Sequence, residues 1–278
     1  MRKILLLILT LTFFACNSQD EKNSKQMNVL FIGNSLTYYN DMPGMLQKMM
    51  NEKNLDINIE QITYPGFSLY AHLENIVEEG SENQVRTRKK SDQEITETEK
   101  KIQEKEWDII IMQTGGVTIL IPEIRKEKVD PAIKEIMSLS NSNSKFILFN
   151  TWTTKINYPK EYCYSAIVID KYSSQGEKIC SPEIANGQEY FDALQSGYRE
   201  LSDNNNISLT RHAQVFQETI GKYPEIDLLE DAMHPSKEGA FLSACLFYKL
   251  ISGKDPKSLE YTAGLDVKTT DLMKRASS

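Results

Sequence analysis

The sequence is poor in histidine. Only His72, His212 and His234 occur in 278 residues. A zinc site built from several histidines is nearly excluded by that count, and a histidine base must be one of the three. Positive charge is also scarce: 32 Lys and Arg stand against 39 Asp and Glu, a formal −7. That balance argues against a general nucleic-acid binder, because phosphate contacts need concentrated Lys and Arg. Neither GxGxxG nor a P-loop signature occurs, which argues against a nucleotide cofactor. No cofactor of any kind is expected. Cysteine is sparse, with four residues. A chain of this length with 40% apolar residues can bury a real core without disulfides or metals to hold it.

The N-terminus reads as an address. Arg2 and Lys3 precede an apolar run from Ile4 to Phe14, and Ala15-Cys16 follows. This is signal-peptide architecture, too short for a mature membrane span. A small residue before Cys16 resembles a bacterial lipoprotein processing site, so residues 1–16 are expected to be signal peptide and lipid anchor. Residues 17–27 are polar and read as a flexible tether. The implied partner is a membrane, through the lipid, and the implied location is the bacterial cell envelope. Disulfides persist there. Cys163 and Cys180 share one loop-like region and form a candidate pair, whereas Cys245 sits in an apolar helix.

From residue 28 on, one domain is expected. Short apolar runs predict strands at 28–32, 57–63, 108–112, 145–150 and, more weakly, 207–210. Three of them are almost continuously apolar, as parallel strands covered on both faces require. Helical patterns lie between. Met42, Met45, Leu46, Met49 and Met50 form a stripe at helical spacing, read as core. Asp41 is the expected cap of that helix and Pro43 suits its first turn. Further helices are predicted over 68–79, 126–139, 188–202 and 236–251. Ser91 and Glu94 have capping-box spacing and predict a charged helix to about residue 104. Alternation of this kind implies a three-layer α/β/α sandwich with a mainly parallel five-stranded sheet, flavodoxin-like. Residues 80–101 read as a solvated excursion, with a substrate-facing lid as the alternative. Residues 155–187 read as an insertion leaving a strand's carboxyl end, where ligands bind in such sheets.

Two local features carry chemistry. In Phe31-Ile32-Gly33-Asn34-Ser35-Leu36, a buried strand ends at Gly33 and a serine follows within two residues. A serine hydroxyl needs a base within hydrogen-bond reach to act as nucleophile. Near the other end, Asp231 and His234 are three apart, just before an apolar helix. That spacing lets the carboxylate fix the imidazole's tautomer. Each feature alone also fits an ordinary loop.

Together the two blocks resemble the SGNH, or GDSL-type, hydrolases, over about residues 28–253. The resemblance implies an α/β/α fold and a metal-independent serine esterase. Ser35 would be the nucleophile, His234 the base and Asp231 its partner. It further implies oxyanion donors at Ser35, at Gly66 in Tyr64-Pro65-Gly66-Phe67, and at Gln113, where the family usually has asparagine. Asn34 replaces the frequent aspartate and is a candidate substrate contact. Trp152, just past a strand end, reads equally as a sugar platform or as core. The implied substrates are small acyl esters, with acetylated carbohydrates plausible for an exported member. An acyltransferase to glycans, or an inactive glycan-binding lipoprotein, are the other readings. His72 is expected on a partly exposed helix face, and His72 and His212 both outside the chemistry.

Overall fold

The computed structural model describes residues 25–80, 84–165, 169 and 178–278. The expected signal peptide, Cys16 and most of the tether lie outside the described residues. In chain order the strands are β1 (Met27–Gly33), β2 (Ile57–Thr63), β3 (Asn75–Gly80), β4 (Val85–Lys89), β5 (Ile109–Met112), β6 (Lys145–Leu148), β7 (Cys163–Ser165), β8 (Lys178–Cys180) and β9 (Ser208–Leu209). The helices are α1 (Ser35–Tyr38), α2 (Met42–Glu52), α3 (Leu69–Glu74), α4 (Glu97–Gln103), α5 (Gly116–Leu120), α6 (Pro122–Ile124), α7 (Asp130–Leu139), α8 (Gly187–Asn205), α9 (His212–Lys222), α10 (Lys237–Ser252) and α11 (Val267–Ala276).

The central sheet is parallel, in the order β2-β1-β5-β6-β9. Side chains alternate across it, so one strand feeds two cores. Val29 and Phe31 of β1 face α2 and α10, in a core that includes Met45, Met49, Phe241 and Phe247. Leu30 and Ile32 face the other way, toward α3, α5, α7 and α8. All four are fully buried, which is why β1 reads as an unbroken apolar run. Phe31 meets Phe247 edge to face at 5.0 Å. The methionine stripe of α2 lies in this core, as its period predicts.

The chain leaves β1 for β2 on one side and then crosses to β5 on the other. The strand order therefore reverses beside β1, and the crevice at the carboxyl ends of β1 and β5 is the usual ligand position in such sheets.

Several expectations are corrected. The predicted 68–79 helix stops at Glu74, and Asn75–Gly80 instead pairs antiparallel with Val85–Lys89. The polar stretch after residue 80 is thus partly a hairpin arm. The capping box forms at Thr96 and Glu99, not at Ser91 and Glu94. Both pairs have the spacing, but the Thr96 box opens a helix that buries Ile102, while Glu94 is drawn into an ion pair with Arg88. Asp41 does not cap α2 with its side chain; its backbone is left-handed, at φ 55°. The weak fifth strand shrinks to two residues, Ser208–Leu209. In the 155–187 insertion, Cys163 and Cys180 form a disulfide across the β7–β8 pair. Cys245 is buried and unpaired.

Candidate active site

Ser35 opens α1 immediately beyond β1. Asn34 is the helix N-cap: its Oδ1 accepts from Leu36 N–H at 3.0 Å, and its Nδ2 donates to Phe67 O at 2.8 Å. Behind it, Gln113 Oε1 accepts both Asn34 N–H at 2.8 Å and Thr37 Oγ at 3.0 Å. Gly33 fits because a Cβ there would lie 2.6 Å from both Gln113 Oε1 and Thr37 Oγ1. The Gly33 carbonyl accepts from Tyr64 N–H at 3.2 Å and from His72 Nε2–H at 2.9 Å. The turn carrying Ser35 is therefore tied to β2's exit, to β5's end and to α3.

His234 reaches this serine from the far end of the chain. Its Nε2 lies 2.9 Å from Ser35 Oγ, and its Nδ1 lies 2.6 Å from Asp231 Oδ2. The loop is held partly by its own groups. Asp231 Oδ1 accepts the N–H groups of Met233 and His234, each at 2.7 Å. Glu230 N–H donates to His234 O, and Leu229 bridges to Pro235. Ser236 then caps α10 through Gly239 N–H. Burial raises the Asp231 carboxyl, but the His234 ring and the two amides outweigh it and hold its pKa at about 2. The carboxylate can accept only at Nδ1, so Nδ1 carries the proton and Nε2 is left to accept from Ser35.

The three residues predicted from two distant blocks are thus brought together in a Ser–His–Asp chain of hydrogen bonds. Gly66 also falls beside them. It is exposed, at φ +69°, in the turn joined to Asn34 through Phe67 O. The Ser35 N–H, the first of α1, has no acceptor within its helix.

Three predicted contacts differ. Gln113 has no exposed surface, so it cannot present a donor to an oxyanion. The Asn34 N–H beside it demands an acceptor, which turns the Gln113 carbonyl forward, and its Nε2 donates to Thr114 O at 2.8 Å. Its role is to hold the nucleophile turn. Asn34 is likewise buried, with both side-chain ends bonded to protein, and is no substrate contact. Trp152 is core: it stacks on Phe216 at 4.1 Å, and its Nε1–H donates to Met233 O at 2.9 Å. It supports the His234 loop from below and offers no face to a sugar.

His72 is buried, not partly exposed. Its Nδ1 pairs with Thr98 Oγ1 at 2.8 Å, opposite the bond to Gly33 O. Burial pushes its pKa down to about 4, against the smaller pull of the Gly33 carbonyl. His212 is buried too and is pushed down to about 3.

Two residues escaped sequence reasoning. Tyr39 stacks on the His234 ring, with centroids 4.1 Å apart and planes 12° off parallel. Asn40 Nδ2 donates to Glu230 Oε2 and to Pro235 O, both at 2.9 Å. Their adjacency to Ser35 in sequence was the one available signal. A cleft of about 800 Å³ opens next to them, lined by Tyr38–Asp41, Thr63–Pro65 and Glu230 among others. Among the described residues, one group has metal-ligand proximity: Glu161, Cys163 and Cys180. The two sulfurs are bonded to each other, so they do not serve as thiolate ligands.

No protein-family model matches the chain, and no curated protein matches it in sequence. Solved structures do match. A DUF4886 family protein from Bacteroides uniformis covers 90% of this chain and 93% of its own length, at 14% identity and a TM-score of 0.64. A candidate SGNH hydrolase from Slackia heliotrinireducens covers 80% and 97%, at 17% identity and 0.52. A candidate GDSL-like lipase from Parabacteroides merdae covers 82% and 96%, at 14% identity and 0.50. At these identities the likeness is one of fold, and chemistry has to be argued from the site.

Proposed function

We propose that this chain, which has the fold of the SGNH (GDSL-type) hydrolases, is a serine-dependent carboxylic ester hydrolase. The observation that carries the reading is the continuous chain from Asp231 through His234 to Ser35, with bonds of 2.6 and 2.9 Å. Ser35 Oγ attacks the ester carbonyl as its proton passes to His234 Nε2. Asp231 stabilises the imidazolium that results. The tetrahedral oxyanion is held by the N–H groups of Ser35 and Gly66, two donors where a third from Gln113 was expected. The C–O bond to the alcohol breaks, the alkoxide takes the proton from His234, and an acyl-Ser35 remains. Water, deprotonated by His234, then releases the acid.

Small acyl groups, acetyl foremost, and an alcohol part drawn from carbohydrate are the proposed substrate. The cleft beside the site supports this reading, since its tyrosines offer flat faces for sugar rings. An exported, lipid-anchored setting is proposed from the N-terminal residues, and the Cys163–Cys180 bridge supports an oxidising compartment.

A fluorophosphonate probe followed by peptide mapping tests the nucleophile. Labelling is expected on Ser35, lost in Ser35→Ala together with turnover of phenyl acetate, while the fold stays intact. Wild-type turnover by that variant would sink the mechanism.

A further inference from the structure

The 800 Å³ cleft is bounded by all three segments that carry the proposed chemistry. Tyr38 ends Ser35's helix, Tyr39 and Asp41 follow it, Tyr64 leads into Gly66, and Glu230 precedes Asp231. Tyr39 presents one face to His234, so the cleft begins where the imidazole ends. A substrate whose carbonyl reaches Ser35 therefore has space for its remaining bulk here.

Among the described residues, the lining includes two carboxylates, Asp41 and Glu230, and no Lys, Arg or His. Glu60, Glu74, Glu94 and Asp227 each pair with Lys or Arg. Neither cleft carboxylate has such a cation among the described residues. Glu230 is instead held by the neutral Asn40 amide, which fixes its position without cancelling its charge. Asn40 and Asp41 stand in successive left-handed conformations, at φ 53° and 55°. Asn and Asp are the non-glycine residues that most readily adopt such backbone. Here it carries the chain from Tyr39, stacked on His234, round the cleft edge to Asp41.

Tyrosine faces together with carboxylates that have no paired cation attract an organic cation, through the ring quadrupole and through Coulomb attraction. Building on the ester-hydrolase reading, we propose that this cleft receives the alcohol part of an ester that bears a positively charged amine, as in an O-acylated amino sugar. Anionic alcohol parts are disfavoured by the same two carboxylates.

The test compares acetylcholine with its neutral isostere 3,3-dimethylbutyl acetate, and uses phenyl acetate as the general ester. The expected kcat/KM for acetylcholine exceeds that for the isostere by about tenfold at low salt. The ratio falls toward one in 0.5 M salt, roughly the regime where the Debye length shrinks below ~5 Å. Glu230→Gln is expected to cut the ratio several-fold. Choline, but not 3,3-dimethylbutanol, is expected to raise the melting temperature of Ser35→Ala, a readout independent of turnover. Equal rates for the two isosteres and no choline-specific stabilisation, with phenyl acetate still hydrolysed, would overturn the proposal alone. Failure to cleave any of the three esters would overturn the hydrolase reading itself.

Discussion

The two halves of the site are built in opposite ways. The nucleophile side is a buried lattice: Gly33, Asn34, Thr37, His72 and Gln113 are all closed to solvent and linked by hydrogen bonds, from Asn34 N–H and Thr37 Oγ to Gln113 Oε1 and from His72 to Gly33 O. The acid–base side is a surface loop. Asp231 is 49% exposed and His234 21%, and the loop from Leu229 to Pro235 combines bonds to its own Asp231 carboxylate with bonds from Asn40, Trp152 and Lys155. A strand end that must aim a serine is immobilised by its neighbours, because loosening it moves the reacting atom. A loop proposed to exchange protons keeps contact with solvent and takes its shape from the Asp231 carboxylate together with bonds from Trp152, Lys155 and Asn40. The lattice thus places its couplings in stability, whereas the loop places them in catalysis.

The sharpest way to break that contrast is Asp231→Asn. Loss of the acceptor for Nδ1–H should lower kcat/KM by roughly 10³–10⁴, with a melting temperature close to wild type. Extensive unfolding would show the loop to be as integral as the lattice.

Gln113→Leu should do the reverse. It leaves Asn34 N–H and Thr37 Oγ without their acceptor, at about 1–3 kcal/mol for each buried group. Denaturant unfolding should therefore show a loss of roughly 2–5 kcal/mol. A drop of ~10²–10³ in kcat at unchanged stability would instead return Gln113 to the oxyanion donors.

Acid should weaken the buried interior next. His72 and His212 have folded pKa values near 4 and 3, below the ordinary ~6.5 of the unfolded chain. Below pH 6.5 the unfolded state binds protons that the folded state refuses. Their contribution is complete above that value and declines as pH falls toward the folded values. Melting temperature measured from pH 7 to pH 4.5 should fall continuously, and more shallowly in His72→Gln. Asp231 acts lower, losing its contribution only as pH drops from about 3.8 toward 2.

The smallest effect is expected at the join between the two halves. Trp152→Phe keeps the ring on Phe216 but removes the donor to Met233 O. A several-fold loss of kcat, with stability changed by about 1 kcal/mol, is expected from one hydrogen bond under the loop.

The layered fold was legible because β1, β5 and α2 carry strong periods: strands covered on both faces and a helix covered on one leave unmistakable apolar patterns. Ser35, Asp231 and His234 were legible for a different reason, since a strand-end serine and a three-residue Asp–His step are local geometries. The β3–β4 hairpin was not, because its residues are mostly exposed and charged, and helix or strand is equally open to them. Thr96 and Ser91 offered the same capping pattern; only the buried side of Ile102 selects between them. Gln113 and Trp152 stood at the right strand ends, yet position along the chain does not tell which way a side chain turns. The Asn34 amide turns one and the Phe216 ring claims the other. His72, placed outside by its helix, is drawn inward by Gly33 O and Thr98. Sequence by itself determined the layers and the order of the reacting groups, since both follow from local periodicity and spacing. Only the tertiary structure decided which polar groups face the substrate and which hold the frame, because that depends on the partner each one meets after the chain has closed.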